Sequence, residues 1–196
     1  MRQDIVLPSK SQIFEYWKDR LLEKGFFIDF GEPSCWVCGF HYGAKYDIKR
    51  PDASWETILR CWERIPLQRC HIIPRSLRGA DSVENMFLMC RECHDSAPNT
   101  NIPEIFFEWA RSQSWLKREQ AKINQALESF SVSKRDYKKI TRTMNSPVFQ
   151  MWAKDRTGLH WPQSNYAPTT SRLTPATMIG FVIYFLRQEN EIKQQA

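Results

Sequence analysis

Two pairs of cysteines have the spacing of metal-binding knuckles: Cys35 with Cys38, and Cys90 with Cys93. Each pair presents two thiolates from one tight turn, and two pairs complete a tetrahedral four-sulfur site suited to Zn²⁺. Matched pairs of this kind point to metal ahead of disulfides or four ordinary buried thiols. The 51 residues between Cys38 and Cys90 exceed the spacing of a simple zinc ribbon. A metal here pins together the two ends of an inserted unit. His41 follows the first pair closely, but four thiolates already fill the site. The inserted unit carries Cys70-His71-Ile72-Ile73-Pro74, then Asn85, then Cys93-His94. One histidine ends an extended run and the other sits directly on a knuckle, so the metal would fix the two close together. Phosphodiester hydrolysis needs such a pairing: a base to activate water, and a divalent ion to neutralise the phosphate and the leaving oxygen.

The elements that must position these residues follow from periodicity and punctuation. Ser9 or Ser11 caps a first helix running to about Lys24, with Ile13, Phe14, Trp17, Leu21 and Leu22 on one face and Gly25 as its stop. Phe26–Phe30 reads as a short strand into the first knuckle. Tyr42–Ser54 is a polar loop, and Ser54 caps a short helix from Trp55 to about Arg64, with Cys61 on its apolar face. Leu67–Pro74 is extended and closed by proline. Arg75–Asp81 is a loop in which Gly79 permits a tight turn. Ser82 opens a short helix through Asn85, Met86 and Leu88 that delivers Cys90. Pro98 and Pro103 mark a boundary. Beyond it the pattern is helical: Pro103 to Phe130, broken near Ser112–Ser114, then Lys134–Thr143, Pro147–Lys154 and Pro175–Gln194. Gly158–Thr174 is a loop rich in Pro, Ser and Thr that holds His160 and Trp161. The tryptophans fall mostly on helix faces, where core packing is expected.

The run His71-x-Ile73-Pro74-x-Ser76-x-x-Gly79, then Asn85, then Cys90-x-x-Cys93-His94 resembles the HNH nuclease family with its ββα-metal finger. It resembles in particular the branch with four zinc-binding cysteines. The resemblance covers Cys35 to about Pro98. It implies that His71 is the general base, that Asn85 braces the loop holding His71 through backbone hydrogen bonds, and that His94 binds the catalytic divalent ion. It assigns Cys35, Cys38, Cys90 and Cys93 to a structural zinc, and it implies 5′-phosphate and 3′-hydroxyl ends. The sequence departs from the family twice. Cys70 stands where the family often has an Asp or His that helps bind the catalytic ion. Either Cys70 ligates and favours Zn²⁺, Mn²⁺ or Ni²⁺ over Mg²⁺, or it points into the core beside Ile72, since residues i and i+2 of a strand share a face. Arg78-Gly79 stands where the family often has two glycines, and Arg78 is free to reach a phosphate.

With 42% hydrophobic and 26% charged residues, the composition is that of a globular chain, not a disordered one. No apolar run has signal-peptide or membrane-spanning length, so a cytoplasmic protein without a membrane partner is expected. The net charge is +6, and residues 1–98 contribute none of it, with 14 basic and 14 acidic side chains. The excess gathers in Lys134, Arg135, Lys138, Lys139 and Arg142, which suits a polyanion. The expectation is an α+β protein: an N-terminal helix over 1–25, a zinc-stapled ββα module over 26–98, and a basic helical region over 99–196. It would act as a metal-dependent DNA endonuclease, with double-stranded DNA held by the C-terminal cations and by Arg75 and Arg78. A monomer would nick, whereas cutting both strands calls for a homodimer. The cofactors would be a structural Zn²⁺ and a catalytic Mg²⁺, Mn²⁺, Ni²⁺ or Zn²⁺. Three rival readings are an inactive zinc-dependent nucleic-acid-binding module, an RNA-directed nuclease and a zinc-folded scaffold.

Overall fold

The computed structural model describes residues 7–154, 156 and 174–195. The segment 158–173, with His160 and Trp161, lies outside them. The protein is α+β: the described residues form helices and one two-stranded sheet. The chain divides into two units, one running to Trp115 and the other beginning at Leu116.

In the first unit, helix α1 (Lys10–Trp17) starts from a capping box in which Ser9 and Gln12 satisfy each other's backbone N–H groups. It is shorter than the expected helix; hydrogen-bonded turns carry the chain on to Gly25, whose φ of 82° closes the last one. The run after it is not a strand, because nothing pairs with it: Phe26 packs on Phe87 while Phe27 is 87% exposed. Helix α2 (Trp55–Arg64) begins at Ser54, whose hydroxyl accepts from the Thr57 amide.

The strands β1 (Gln68–His71) and β2 (Met86–Met89) pair antiparallel, with His71 opposite Met86 and Cys70 opposite Phe87. A helix was expected over Met86 and Leu88, but only one 3₁₀ turn, Val83–Asn85, precedes β2. All four β2 residues are buried, so the strand reads as a continuous apolar run without alternation. Helix α3 (Arg91–Ser96) follows directly and packs against β1, completing a ββα element. Phe87 lies at the centre of the core, its ring centroid 5.0 Å from Trp36, 5.7 Å from Trp17 and 5.5 Å from Phe106. Phe106 belongs to helix α4 (Pro103–Ser112), whose buried Phe106 and Ala110 join this core.

The chain breaks at Gln113–Ser114, as the sequence suggests, and α5 (Trp115–Ser129) leads into the second unit. There α6 (Tyr137–Met144) and α7 (Pro147–Lys154) pack on α8 (Pro175–Gln195). Leu127, Ile140, Phe149, Val182 and Phe185 form their common core. The apolar stretch of α8 is therefore a packing face. No helix among the described residues is long and apolar enough to cross a membrane.

Candidate active site and metal centre

The first knuckle turns at Gly39, whose φ is 73°, with the Gly39 amide donating to the Cys35 carbonyl at 2.8 Å. The Trp36 amide donates to Leu88 O at 3.1 Å, which attaches the knuckle to the outer edge of β2. Cys90 directly follows that strand and Cys93 lies in α3, so strand β2 carries the second knuckle to the first. All four thiols are buried, and their sulfurs lie within 4.8 Å of one another. Four sulfurs at tetrahedral corners around one zinc ion are about 3.8 Å apart, from a Zn–S length near 2.3 Å. Cys38 Sγ and Cys90 Sγ are 3.8 Å apart. The donor set and its spacing thus fit a tetrahedral divalent ion. Burial pushes the Cys35 thiol well up, while a hydrogen bond from Cys35 pulls Cys38 down to about 7. His41 takes no part in the cluster: its Nε2 is 2.6 Å from Asp47.

His71 stands at the end of β1 with its side chain 19% exposed, and its Nε2 lies 2.7 Å from Asp81 Oδ1. Arg75 Nε reaches the same oxygen at 2.6 Å. The Arg75 guanidinium, with help from His71, holds the Asp81 carboxyl below the usual carboxylate range. Asp81 is a site residue, bonded to both His71 and Arg75, that the sequence did not single out. Its only signal is an acid just past the glycine turn, ten residues after His71. The role becomes visible only once the loop folds back.

The fold-back depends on two residues. Asn85 Oδ1 accepts from the Ile73 amide at 2.9 Å, and its Nδ2 donates to the Ile73 and Ala80 carbonyls, each at 2.9 Å. One side chain thereby joins both ends of the 73–80 loop. Gly79 lies so close beneath that a Cβ there would sit 1.6 Å from the Ile73 carbonyl oxygen and 2.8 Å from Asn85 Nδ2. Neighbouring Arg78 adopts a left-handed φ of 66°, at a cost of roughly 1–2 kcal/mol for a residue with a Cβ. Gly79→Ala is expected to destabilise the fold by about 3 kcal/mol or more, because backbone must move. A thermal melt checks this, and an unchanged midpoint contradicts the packing.

Cys70 is 6% exposed and lies on the same face of the strand as buried Ile72. Burial pushes its thiol up to about 12. Of the two roles open to it, the structure provides for the core one. Because its pKa is raised on folding, its contribution to stability is complete below about pH 9 and disappears as pH rises through about 12. Cys70→Val is expected to flatten the decline in stability across that window, by on the order of a few kcal/mol. An identical pH–stability curve for both proteins contradicts this.

His94 follows Cys93 in α3; its Nδ1 is 3.5 Å from Asp95 and its side chain is 41% exposed. It is available to a ligand from solvent. Residues 59–100 match the model of the HNH endonuclease family. That segment is similar to an HNH module. No curated protein and no solved structure matches the chain significantly. The HNH match includes His71, Asn85, Cys90, Cys93 and His94, but the Cys35–Cys38 knuckle lies before it. The HNH segment is therefore completed by cysteines from outside the matched residues.

The cations expected to meet nucleic acid fall in two groups. Arg75, half exposed and tied to Asp81, and exposed Arg78 lie in the 73–80 loop. Lys134, Arg135, Lys138, Lys139 and Arg142 are all exposed around the start of α6, in the second unit.

Proposed function

We propose that this protein is an endonuclease that hydrolyses phosphodiester bonds in DNA, with His71 as general base and Asp81 as its positioning residue. The observation that carries this reading is the 2.7 Å contact between His71 Nε2 and Asp81 within a segment that matches HNH nucleases. An ionised carboxylate only accepts hydrogen bonds, so Nε2 carries the proton and Nδ1 keeps the lone pair. Nδ1 then takes a proton from water as the water oxygen attacks phosphorus. The bond from phosphorus to the 3′ oxygen breaks and that oxygen takes a proton from solvent, leaving a 5′-phosphate and a 3′-hydroxyl. Asp81 stabilises the imidazolium so formed, much as a carboxylate does in a catalytic triad. Asn85 keeps the loop and the base in register.

A divalent ion at His94 would supply charge neutralisation on the scissile phosphate and the leaving oxygen. Cys70 is not among its ligands in this reading, because its side chain is 6% exposed and shares a strand face with buried Ile72, away from the face of His71. The four cysteines hold a structural Zn²⁺. Arg75, Arg78 and the cations around α6 contact phosphates and position the substrate without reading sequence. Arg78 keeps its strained backbone while exposed, which fits a side chain retained for a ligand.

End-labelled duplex DNA, single-stranded DNA and duplex RNA, each incubated with the protein and a panel of divalent ions, test the proposal. Duplex DNA should yield fragments with 5′-phosphate ends. Cleavage of RNA alone would reassign the substrate, and binding without cleavage of any of the three would leave a zinc-dependent binding module.

A further inference from the structure

The charge-neutral first half of the sequence is not neutral in space. A cavity of about 1020 Å³ opens between the loop after the first knuckle and helix α2, and its lining includes Lys45, Lys49, Arg50, Arg60 and Arg64. The acids beside these charges offset only part of them. Asp47 is held by His41 at 2.6 Å, Asp52 lies 3.5 Å from Arg50, and Glu56 takes Arg60 at 2.7 Å. Among the described residues, no carboxylate pairs with Lys49 or Arg64, and Lys45 lies over the Tyr46 ring at 4.6 Å. Cations gathered around one concavity repel each other where they lie within a Debye length, about 10 Å at 0.1 M salt. A bound polyanion relieves that repulsion.

The geometry points to this cavity as a second anchoring site for the phosphodiester backbone of the nucleic acid, apart from the scissile position; this rests on the nuclease reading above. The lining adds the hydroxyls of Ser54 and Thr57 to the cations, with Tyr46, Ile48, Ala53 and Cys61 between them. Long flexible cations beside hydroxyl donors suit a chain of phosphates better than a buried base or sugar. Most of the lining precedes residue 59, where the HNH match begins, so the site lies mainly outside the matched segment.

The test is fluorescence anisotropy with a labelled duplex between 50 and 200 mM salt, on protein with its zinc in place and with no other divalent ion added, so that cleavage plays no part. Replacing Lys45, Lys49 and Arg64 together by alanine should lower the slope of log K against log[salt] by about 2 to 3, at roughly 0.9 for each phosphate no longer neutralised. Lys49→Glu alone serves if the triple variant does not melt like wild type, and it should weaken binding at every salt concentration. Tripolyphosphate and ATP as competitors separate the ligand sources. A variant that loses protection by these anions while keeping the wild-type duplex slope overturns the backbone assignment in favour of a free phosphate ligand. An unchanged slope with unchanged anion binding overturns the site altogether. Neither result bears on cleavage by His71. Failure of wild type to bind duplex at all overturns this site and the nuclease reading together.

Discussion

Withdrawing the metal from the four-cysteine cluster, or replacing Cys93 by serine, is expected to unfold the unit that runs to Trp115. Apparent binding free energies of structural zinc are about 10–16 kcal/mol, whereas a whole domain is stable by about 5–15 kcal/mol. Loss of the ion therefore outweighs what the unit has to spare. The geometry explains why the loss spreads. The four sulfurs are buried, and the first knuckle attaches to β2 through the Trp36–Leu88 hydrogen bond. Phe87, next to Leu88, centres the aromatic cluster that joins α1 and α4. The rings of Trp17, Trp36 and Trp62 are all buried, so near-ultraviolet circular dichroism reports on this core. Chelation should abolish that signal cooperatively and leave part of the far-ultraviolet helical signal, because α6, α7 and α8 have a core of their own. A full aromatic signal in protein shown to contain no metal would falsify the zinc assignment.

Replacing His71 by alanine is the second large effect. Removal of a general base costs about 10²–10⁴ in rate, equivalent to roughly 3–5 kcal/mol of transition-state stabilisation. DNA affinity should be retained, because His71 is neutral when it acts as a base and the phosphate contacts come from arginine and lysine. Asp81→Asn should fall between wild type and His71→Ala. The amide no longer fixes the proton on Nε2, nor does it stabilise the imidazolium, so the loss appears in kcat and not in KM. Equal binding and equal turnover in wild type and His71→Ala would remove His71 from the mechanism.

The site was legible in the sequence as far as local chemistry carries it. Paired cysteines, a histidine closed by Ile-Ile-Pro and an asparagine ahead of the second knuckle are patterns of residue type and spacing, and these survive without coordinates. The Ser54 cap and the start of α7 at Pro147 are legible for the same reason. The misreadings have a common cause in tertiary context. Met86–Met89 is buried on both faces and so lacks the alternation that marks a strand. Phe26–Phe30 is apolar enough for a strand but finds no partner. Asp81 meets His71 only because Asn85 and Gly79 fold the loop between them. The basic cavity was hidden by arithmetic: equal numbers of acids and bases cancel in a sum, and only the fold separates them.

The central claim is that this chain cuts a phosphodiester backbone with His71. The most direct measurement is conversion of supercoiled plasmid to open-circular or linear DNA, followed on an agarose gel with wild type and His71→Ala side by side, each with intact zinc and added Mg²⁺, Mn²⁺ or Ni²⁺. The account predicts that wild type nicks the plasmid with at least one of these ions, that EDTA stops it, and that His71→Ala leaves the plasmid supercoiled over the same period. Plasmid that stays supercoiled with wild type under every ion, or that is nicked equally by both proteins, contradicts it.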